Sequence, residues 1–291
     1  MSAARADCEA ATIRIGSAGH RRLLADFFIG THREYTPENI DWPTLSESEL
    51  ARLTGLPFWQ EAVATEAVTS ATVTAAAALE ADPALRRAIA LQGFEEQRHA
   101  RLLQALTAHY RIPIEPAPPY VPRSLEHDFL FAGFGECFDS FFAFGLFDLA
   151  RESGYFPPGL VRLFEPVMDE EVRHILFFVN WVAARRAQLP WWKRPAFRLR
   201  CAGIILEQLA SRLKTARALS RGPRPSAAPP AGNFTLSAHQ RLAAPVSLHG
   251  LLRRCLAENE RRMSGYDARL RRPRLVPALA RLLYRLLPAR L

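Results

Sequence analysis

The chain has 291 residues, 49% of them apolar, which excludes a disordered chain and allows a substantial buried core. Alanine, leucine and arginine dominate and runs of β-branched residues are scarce, which favours helices over sheet. The four cysteines are widely spaced and none forms a C-x-x-C pair, which argues against a disulfide framework and a cysteine zinc site. The first residues lack the long apolar stretch of a signal peptide, so a cytoplasmic location is expected.

The first 187 residues predict a lead-in over residues 1–56, with one helix near 21–28, and then a helical domain over residues 57–187. Four long helices are predicted in this domain, at residues 57–80, 83–110, 124–152 and 160–186. Residues 111–122 contain five prolines, cannot form regular structure, and are long enough to cross the end of a bundle. Two hairpins joined by one long crossover are therefore expected, in an all-α four-helix bundle.

The remaining chain predicts helices outside that bundle. Residues 188–219 predict an additional helix, residues 220–235 a linker rich in proline, serine and alanine, and residues 236–291 a basic helical extension. The expected fold is thus a four-helix bundle with additional C-terminal helices.

The second and fourth predicted helices carry the same five-residue pattern, E-E-x-R-H. It reads Glu95-Glu96-Gln97-Arg98-His99 in one helix and Glu170-Glu171-Val172-Arg173-His174 in the other. Residues three apart share one helix face, so the second glutamate and the histidine of each copy can reach the same ion. Carboxylate oxygens combined with imidazole suit iron, manganese or zinc.

Each Glu-x-x-His pair needs a further carboxylate from the preceding helix of its hairpin. Glu66 lies about as far before the first turn as Glu96 lies after it, whereas Glu61 would be misplaced by about 8 Å. Glu66 is preferred on this position alone, because the neighbouring residues do not separate the two. In the third helix Glu136 is the candidate, and Asp139, one turn on, is either an alternative ligand or a group that supports the ligands.

Two glutamates with two Glu-x-x-His pairs form the ligand set of di-iron and di-manganese carboxylate proteins. Over about residues 57–187 the chain therefore resembles the ferritin-like di-iron carboxylate superfamily, and its ligand spacing is most similar to that of the di-iron hydroxylases of quinone biosynthesis. The resemblance implies a ferritin-like bundle holding two iron ions, with manganese or a mixed pair as alternatives. The implied ligands are Glu66, Glu96, His99, Glu136, Glu171 and His174. The lack of cysteine pairs is unlike a standard rubrerythrin, and Val167 stands where the N-oxygenase branch has an extra histidine.

Glu95 and Glu170 are also repeated, each four residues before the motif histidine of its own helix. Two interpretations stay open: a carboxylate that orients the imidazole, or a helix-edge carboxylate paired with solvent or arginine. Arg98 and Arg173 point away from the predicted ligand face, so we expect them to serve surface or subunit pairing.

The third predicted helix contains eight phenylalanines between residues 129 and 147. One interpretation is core packing on all sides of a central helix. The other is an apolar substrate chamber beside the metals, because small residues share the face of Glu136, namely Ala132, Gly133, Ser140 and Ala143. A membrane span is disfavoured because the same stretch contains Glu136, Asp139 and Asp148.

The C-terminal residues 251–291 hold eleven arginines and three acids, nearly the whole excess of the net charge of +9. The last predicted helix, near residues 277–287, has leucines on one side and Arg281 and Arg285 on the other. Such a helix either docks on the bundle or lies on an anionic membrane surface, which would place the protein at the periphery of the inner membrane. No recognisable motif supports binding to nucleic acid.

Three functional hypotheses follow. The first is a di-iron oxygenase or oxidoreductase of the monooxygenase type, which uses O₂ and an external electron donor on a small apolar or aromatic substrate. It has no catalytic residue beyond the metal ligands. The second is an iron-handling or peroxide-detoxifying protein, for which a closed and filled core would suffice. The third is a membrane-surface or partner-binding protein with structural metals; a homodimer is compatible with each.

Overall fold

A computed structural model describes residues 13–56, 58–116, 119–122, 124–220 and 247–287, and only the backbone of 215–220. Within these residues the regular structure is helical and contains no strand, which confirms the predicted all-α class. The helices, numbered in chain order, are α1 Ala18–Gly30, α2 Glu47–Thr54, α3 Trp59–Ala77, α4 Pro83–His109, α5 Leu125–Ser153, α6 Pro158–Arg162, α7 Glu165–Gln188, α8 Arg194–Ser220, α9 Leu248–Ser264 and α10 Leu275–Leu286. The predicted linker lies, from residue 221 onward, outside the described residues.

Local sequence signals explain where the bundle helices begin and end. The side chain of Asp82 accepts hydrogen bonds from two backbone N–H groups of the first turn of α4, and Pro83 takes the first helical position. Gly154 ends α5 with a φ of +62°, a conformation that a residue with a Cβ adopts at a cost. The predicted fourth helix is divided into α6 and α7, because Pro166 in the first turn of α7 favours a new helix start there.

Helices α3, α4, α7 and α5 form a closed ring of four packed neighbours. The α3 helix packs on α4 and α5, and α7 packs on the same two helices. A Cβ on Gly93 would lie 2.5 Å from the Thr74 hydroxyl, so this glycine allows α4 to approach α3 closely. The ring leaves one shared interior, which positions the site described below.

The N-terminal segment belongs to the core. The α1 helix packs across α4 and α7, where Leu24 and Phe28 are fully buried against Ile89, Val172 and Phe177. The loop that follows α1 is thereby held over the second and fourth bundle helices. The α2 helix, which the sequence analysis did not predict, begins with a capping box between Ser46 and Glu49.

The α5 helix is the central helix of the fold, because α8, α9 and α10 pack on it in addition to the bundle helices. The α9 helix comes so close that a Cβ on Gly145 would lie 2.3 Å from the sulfur of Cys255. Phe138, Phe141 and Phe144 are buried, which supports core packing on all sides as one role of the phenylalanines. Among the described residues α5 is the one helix long and apolar enough to span a membrane, and 61% of its apolar window is buried inside the protein.

Candidate metal centre

The six side chains predicted as metal ligands extend from the four bundle helices into their shared interior. Single ligand atoms of Glu66, Glu96 and His99 lie within 4.8 Å of one another, and we call this group the first half-site. Glu96, Glu136 and His174 meet the same condition and form the second half-site. Glu96 belongs to both groups, so it lies between two possible ion positions.

Glu171 lies beside the first half-site. Its Oε1 is 3.5 Å from His99 Nδ1, while its Oε2 accepts a hydrogen bond of 2.6 Å from the Ser140 hydroxyl. The rings of His99 and His174 are 5.7 Å apart, centroid to centroid. The structure therefore brings all six predicted ligands to one place, with Ser140 fixing one of the carboxylates.

Unsatisfied polar atoms at this place fit a cation. His99 Nδ1, His174 Nδ1, Glu96 Oε1 and Glu136 Oε1 are buried and make no hydrogen bond with the described residues. The pair His174 Nδ1 and Glu96 Oε1 is only 2.8 Å apart, yet the two atoms are not aligned as a hydrogen bond. Buried polar atoms are rarely left without a partner. Because the unsatisfied atoms converge, a metal ion is the partner that would satisfy them together.

Electrostatics support the same conclusion. Burial, together with the charges of neighbouring carboxylates, raises the pKa of Glu66 to about 7 and raises that of Glu136 well above its usual range. Burial opposes charge on His174, but the carboxylates of Glu96 and Glu95 outweigh it and raise its pKa. Carboxylates crowded in an apolar interior are unfavourable without a counter-charge. Two divalent ions would neutralise the four ligand glutamates.

Glu95 and Glu170 hold the imidazoles, but across the bundle. His99 Nε2 lies 2.8 Å from Glu170 Oε2, and His174 Nε2 lies 2.8 Å from Glu95 Oε2. Each copy of the motif thus orients the histidine of the other copy, and not its own as the i,i+4 spacing had suggested. An ionised carboxylate only accepts, so each Nε2–H donates, and each Nδ1 is left directed at the centre, where a metal ion would replace its proton.

Arg98 and Arg173 are not surface residues, and the expectation that they serve surface or subunit pairing is wrong. Arg98 is 0% exposed and pairs with Glu170, while Arg173 is 3% exposed and pairs with Glu95 at 2.9 Å. The face opposite the ligands is covered by α1 and the loop behind it, which sequence periodicity does not reveal. Each of these glutamates therefore binds the histidine of the other motif copy and the arginine of that same copy.

Residues 31–35, which read T-H-R-E-Y, contact both halves of this network, and we call them the N-terminal loop. His32 Nδ1 is hydrogen-bonded to Glu95, and the Tyr35 hydroxyl donates to Glu170 at 3.3 Å. Arg98 donates to the Arg33 carbonyl, and Arg173 donates to the Thr31 hydroxyl. The sequence analysis missed this loop, because loops have no periodicity; the one available signal was a run of polar side chains directly after an apolar helix.

The two alternative ligands that the sequence left open, Glu61 and Asp139, both lie outside the half-sites. Neither half-site includes Glu61, while Glu66 Oε2 is 3.7 Å from His99 Nδ1. Neither half-site includes Asp139, whose carboxylate pairs with Arg212 of α8. Asp139 thus helps to attach α8 to α5, and Glu66 is the carboxylate that α3 contributes to the centre.

An apolar cavity of about 220 Å³ adjoins the first half-site. Glu66 and His99 form its polar end, and leucine, phenylalanine, alanine and valine side chains form nearly all of the remaining wall. From α5 it is lined by Ala143, Leu146, Phe147 and Ala150. The α2 helix, which the sequence analysis did not predict, contributes Leu53 to the wall, and α6, the first part of the predicted fourth helix, contributes Leu160.

No family model matches the sequence, and no curated protein or solved structure matches it either. The assignment of a function therefore rests on the geometry and chemistry of this centre.

Proposed function

We propose that the chain is a ferritin-like di-iron oxidoreductase, of the monooxygenase type, that acts with O₂ and an external electron donor on a small apolar or aromatic molecule. The observation that carries this proposal is the apolar cavity of about 220 Å³ that ends at Glu66 and His99. A concave, mostly apolar space with a few polar groups at one end is the usual form of a small-molecule site.

The donor set supports iron in this role. Four carboxylates and two imidazoles suit iron, manganese and zinc better than softer metals. The arrangement of two glutamates and two Glu-x-x-His pairs in a helical bundle is that of di-iron and di-manganese carboxylate proteins. Bound iron would supply the activation of O₂, and six protein ligands for two ions leave positions for other ligands.

The residues of the chain have definable roles in such a centre. Glu96 lies between the two histidines and Glu171 lies beside His99, so both carboxylates would help to hold the ions. Glu95 and Glu170 fix the imidazole orientations, and Ser140 fixes Glu171. The apolar wall of the cavity would exclude water and place the substrate at the first half-site.

The cavity also supports this proposal over its main rival. A protein that only stores iron or removes peroxide needs a passage for a small oxidant and no room for an organic molecule. A space of about 220 Å³ beside the ligands is more than such a passage requires.

Metal content tests the proposal. We expect protein from iron-supplemented cells to contain about two irons per chain, and a Glu96→Ala/Glu171→Ala double variant to contain none. A Glu61→Ala variant is the matched control, because Glu61 belongs to the same helix as Glu66 but to neither half-site. Oxygen consumption with a panel of apolar and aromatic compounds then tests the reaction class.

Circular dichroism of the double variant must show that its helices are intact. Wild-type protein that is helical, stable and free of metal would contradict the proposal. Two irons per chain without oxygen consumption on any apolar compound would favour iron handling instead.

A further inference from the structure

Two helices outside the bundle expose an unusual amount of apolar surface. Of the sixteen large apolar side chains that are exposed in the described residues, nine lie between Trp191 and Leu213 or on α10. On the first segment the exposed fractions are 75% for Trp191, 61% for Trp192, 74% for Leu199, 65% for Leu206 and 57% for Leu213. Single exposed apolar residues are ordinary, but concentrated ones mark a binding surface.

The α10 helix is docked and still exposes leucines. It buries Val276 and Ala280 against the bundle, while Leu282 is 53% exposed and Leu286 is 71% exposed. Both predicted alternatives for this helix therefore have support, since one face packs on the protein and another remains apolar and uncovered. Ile205 of α8 and residues of α10 pack against the same buried cluster, so the two helices lie on the same side of α5.

The surroundings of these apolar residues are strongly basic. Residues 191–214 contain six lysines and arginines against one acid, Glu207, and residues 271–287 contain five arginines and no acid. Arg198 is adjacent to Leu199 in sequence, and Lys214 is adjacent to Leu213. Each basic side chain is therefore about 100° around the helix axis from the neighbouring leucine. A basic, amphipathic surface with tryptophans at its edge has the composition of a protein face that binds the interface of an anionic bilayer.

We propose that α8 and α10, with Trp191 and Trp192, form a docking face for the surface of an anionic lipid bilayer. Its leucines and tryptophans enter the interface, and its arginines and lysines contact the lipid headgroups. Trp192, Leu199, Leu206 and Leu213 recur every seven residues, a spacing that also suits a helix of a second copy. Charge decides between the two occupants, because a second copy would bring basic surfaces together and an anionic bilayer is complementary to them.

The position of the cavity agrees with a bilayer. Phe58 and Leu146 line the cavity and also belong to, or pack against, the buried cluster that contains Val276 and Ala280 of α10. The buried cluster on which α10 packs thus also forms part of the cavity wall. This step rests on the proposed function: an apolar substrate dissolved in the bilayer would have a short path to the first half-site.

Vesicle flotation of the full chain tests the docking face. Deleting residues 251–291 is unsuitable, because it would uncover the face of α5 on which α9 packs. We expect wild-type protein to float with phosphatidylglycerol-containing vesicles, less at high salt, and not with phosphatidylcholine vesicles alone. The variants Leu206→Gln/Leu213→Gln and Leu282→Gln/Leu286→Gln should each reduce binding at least about tenfold, since two leucines lose their burial in lipid.

The matched control is Leu79→Gln/Val121→Gln, which changes two similarly exposed apolar residues elsewhere, and it should bind as wild type does. The metal-free Glu96→Ala/Glu171→Ala protein, if helical, should also bind normally, which separates this test from that of the proposed function. Absence of flotation with anionic vesicles would overturn the proposal. The proposal would also be overturned if the Leu206→Gln/Leu213→Gln variant turned a dimer into a monomer, measured by light scattering, while vesicle binding was unchanged. That result would assign the exposed leucines of α8 to contact with a second copy.

Discussion

The two half-sites are alike in their inner contacts and different in their surroundings. In both, the histidine and the arginine of one motif copy bind the first glutamate of the other copy, here called its leading glutamate, which is Glu95 in α4 and Glu170 in α7. The residues that surround the two histidines beyond these contacts are different. His99 lines the cavity, whereas His174 does not and instead has Phe28 at 5.9 Å, ring to ring.

This difference separates what the repeated motif determines from what it leaves open. The E-E-x-R-H pattern, used twice, sets four of the six candidate ligands and the groups that orient the two histidines. The cavity lies on one half only and is formed by segments without repeats, such as α2 and α6. A substrate would therefore meet the first ion and not the second, so that the two ions of a symmetric ligand set would have different tasks.

The largest effect is expected from removing the symmetric inner contacts. Glu95→Ala leaves Arg173 buried without its carboxylate, and Glu170→Ala does the same to Arg98. Breaking a buried ion pair lowers the free energy of unfolding by about 3–5 kcal/mol. Because the inner contacts are alike, the two variants should lose similar free energies of unfolding. Urea denaturation of the metal-free proteins measures both values.

Glu34→Ala is the control for this pair, because Glu34 contacts His32 from an exposed position with 83% of its side chain accessible. It should change the free energy of unfolding by less than about 0.5 kcal/mol. A loss confined to one of the two buried variants would show that the inner contacts are not equivalent.

A second prediction concerns the cavity and should affect only the first half-site. Ala143→Phe places a ring in the apolar space, so binding of an apolar fluorescent probe should fall at least about tenfold while metal content stays unchanged. Ala90→Phe, at an exposed position of α4, adds the same ring outside the cavity and should leave probe binding intact. Unchanged probe binding in Ala143→Phe would mean that the probe, and by extension the substrate, binds elsewhere.

The convergence of the candidate metal ligands was predictable from sequence because it depends on local spacing. Glu96 and His99, or Glu171 and His174, share a helix face whatever the fold, and hairpin distance selected Glu66 over Glu61. What could not be predicted depends on contacts between distant segments. Arg98 looked like a surface residue until α1, read as a lead-in, proved to cover its face of α4.

The same limit applies to the C-terminal helices. The leucine–arginine pattern of α10 indicated an amphipathic helix, but it did not show which of its apolar residues would pack against the bundle. The structure buries Val276 and Ala280 and leaves Leu282 and Leu286 exposed. Asp139 is a similar case, since its spacing from Glu136 suggested a ligand, while Arg212, seventy-three residues later, pairs with it.

The smallest effect is expected where the N-terminal loop makes the half-sites unequal. The leading glutamates have different outer partners: Glu170, which holds His99, accepts from the Tyr35 hydroxyl, and Glu95 accepts from His32. Burial, aided by the charge of Glu170, raises the pKa of Tyr35 to about 12, so the phenol keeps its proton and donates at neutral pH. The Tyr35 ring also lies under Arg98, 3.9 Å from the guanidinium carbon to the ring centroid.

Tyr35→Phe removes this hydroxyl and keeps the ring beneath Arg98. The loss in free energy of unfolding should be about 1 kcal/mol, at the low end for a bond to a charged group, because Tyr35 is partly exposed and water can replace the hydroxyl. The loss should be larger for Tyr35→Ala, which also removes the contact with the guanidinium. Since Glu170 orients His99 and not His174, Tyr35→Phe should weaken binding of one ion per chain and spare the other, measured by stepwise metal titration. Equal weakening of both ions would mean that the shared Glu96 couples the half-sites so tightly that the outer partners no longer distinguish them.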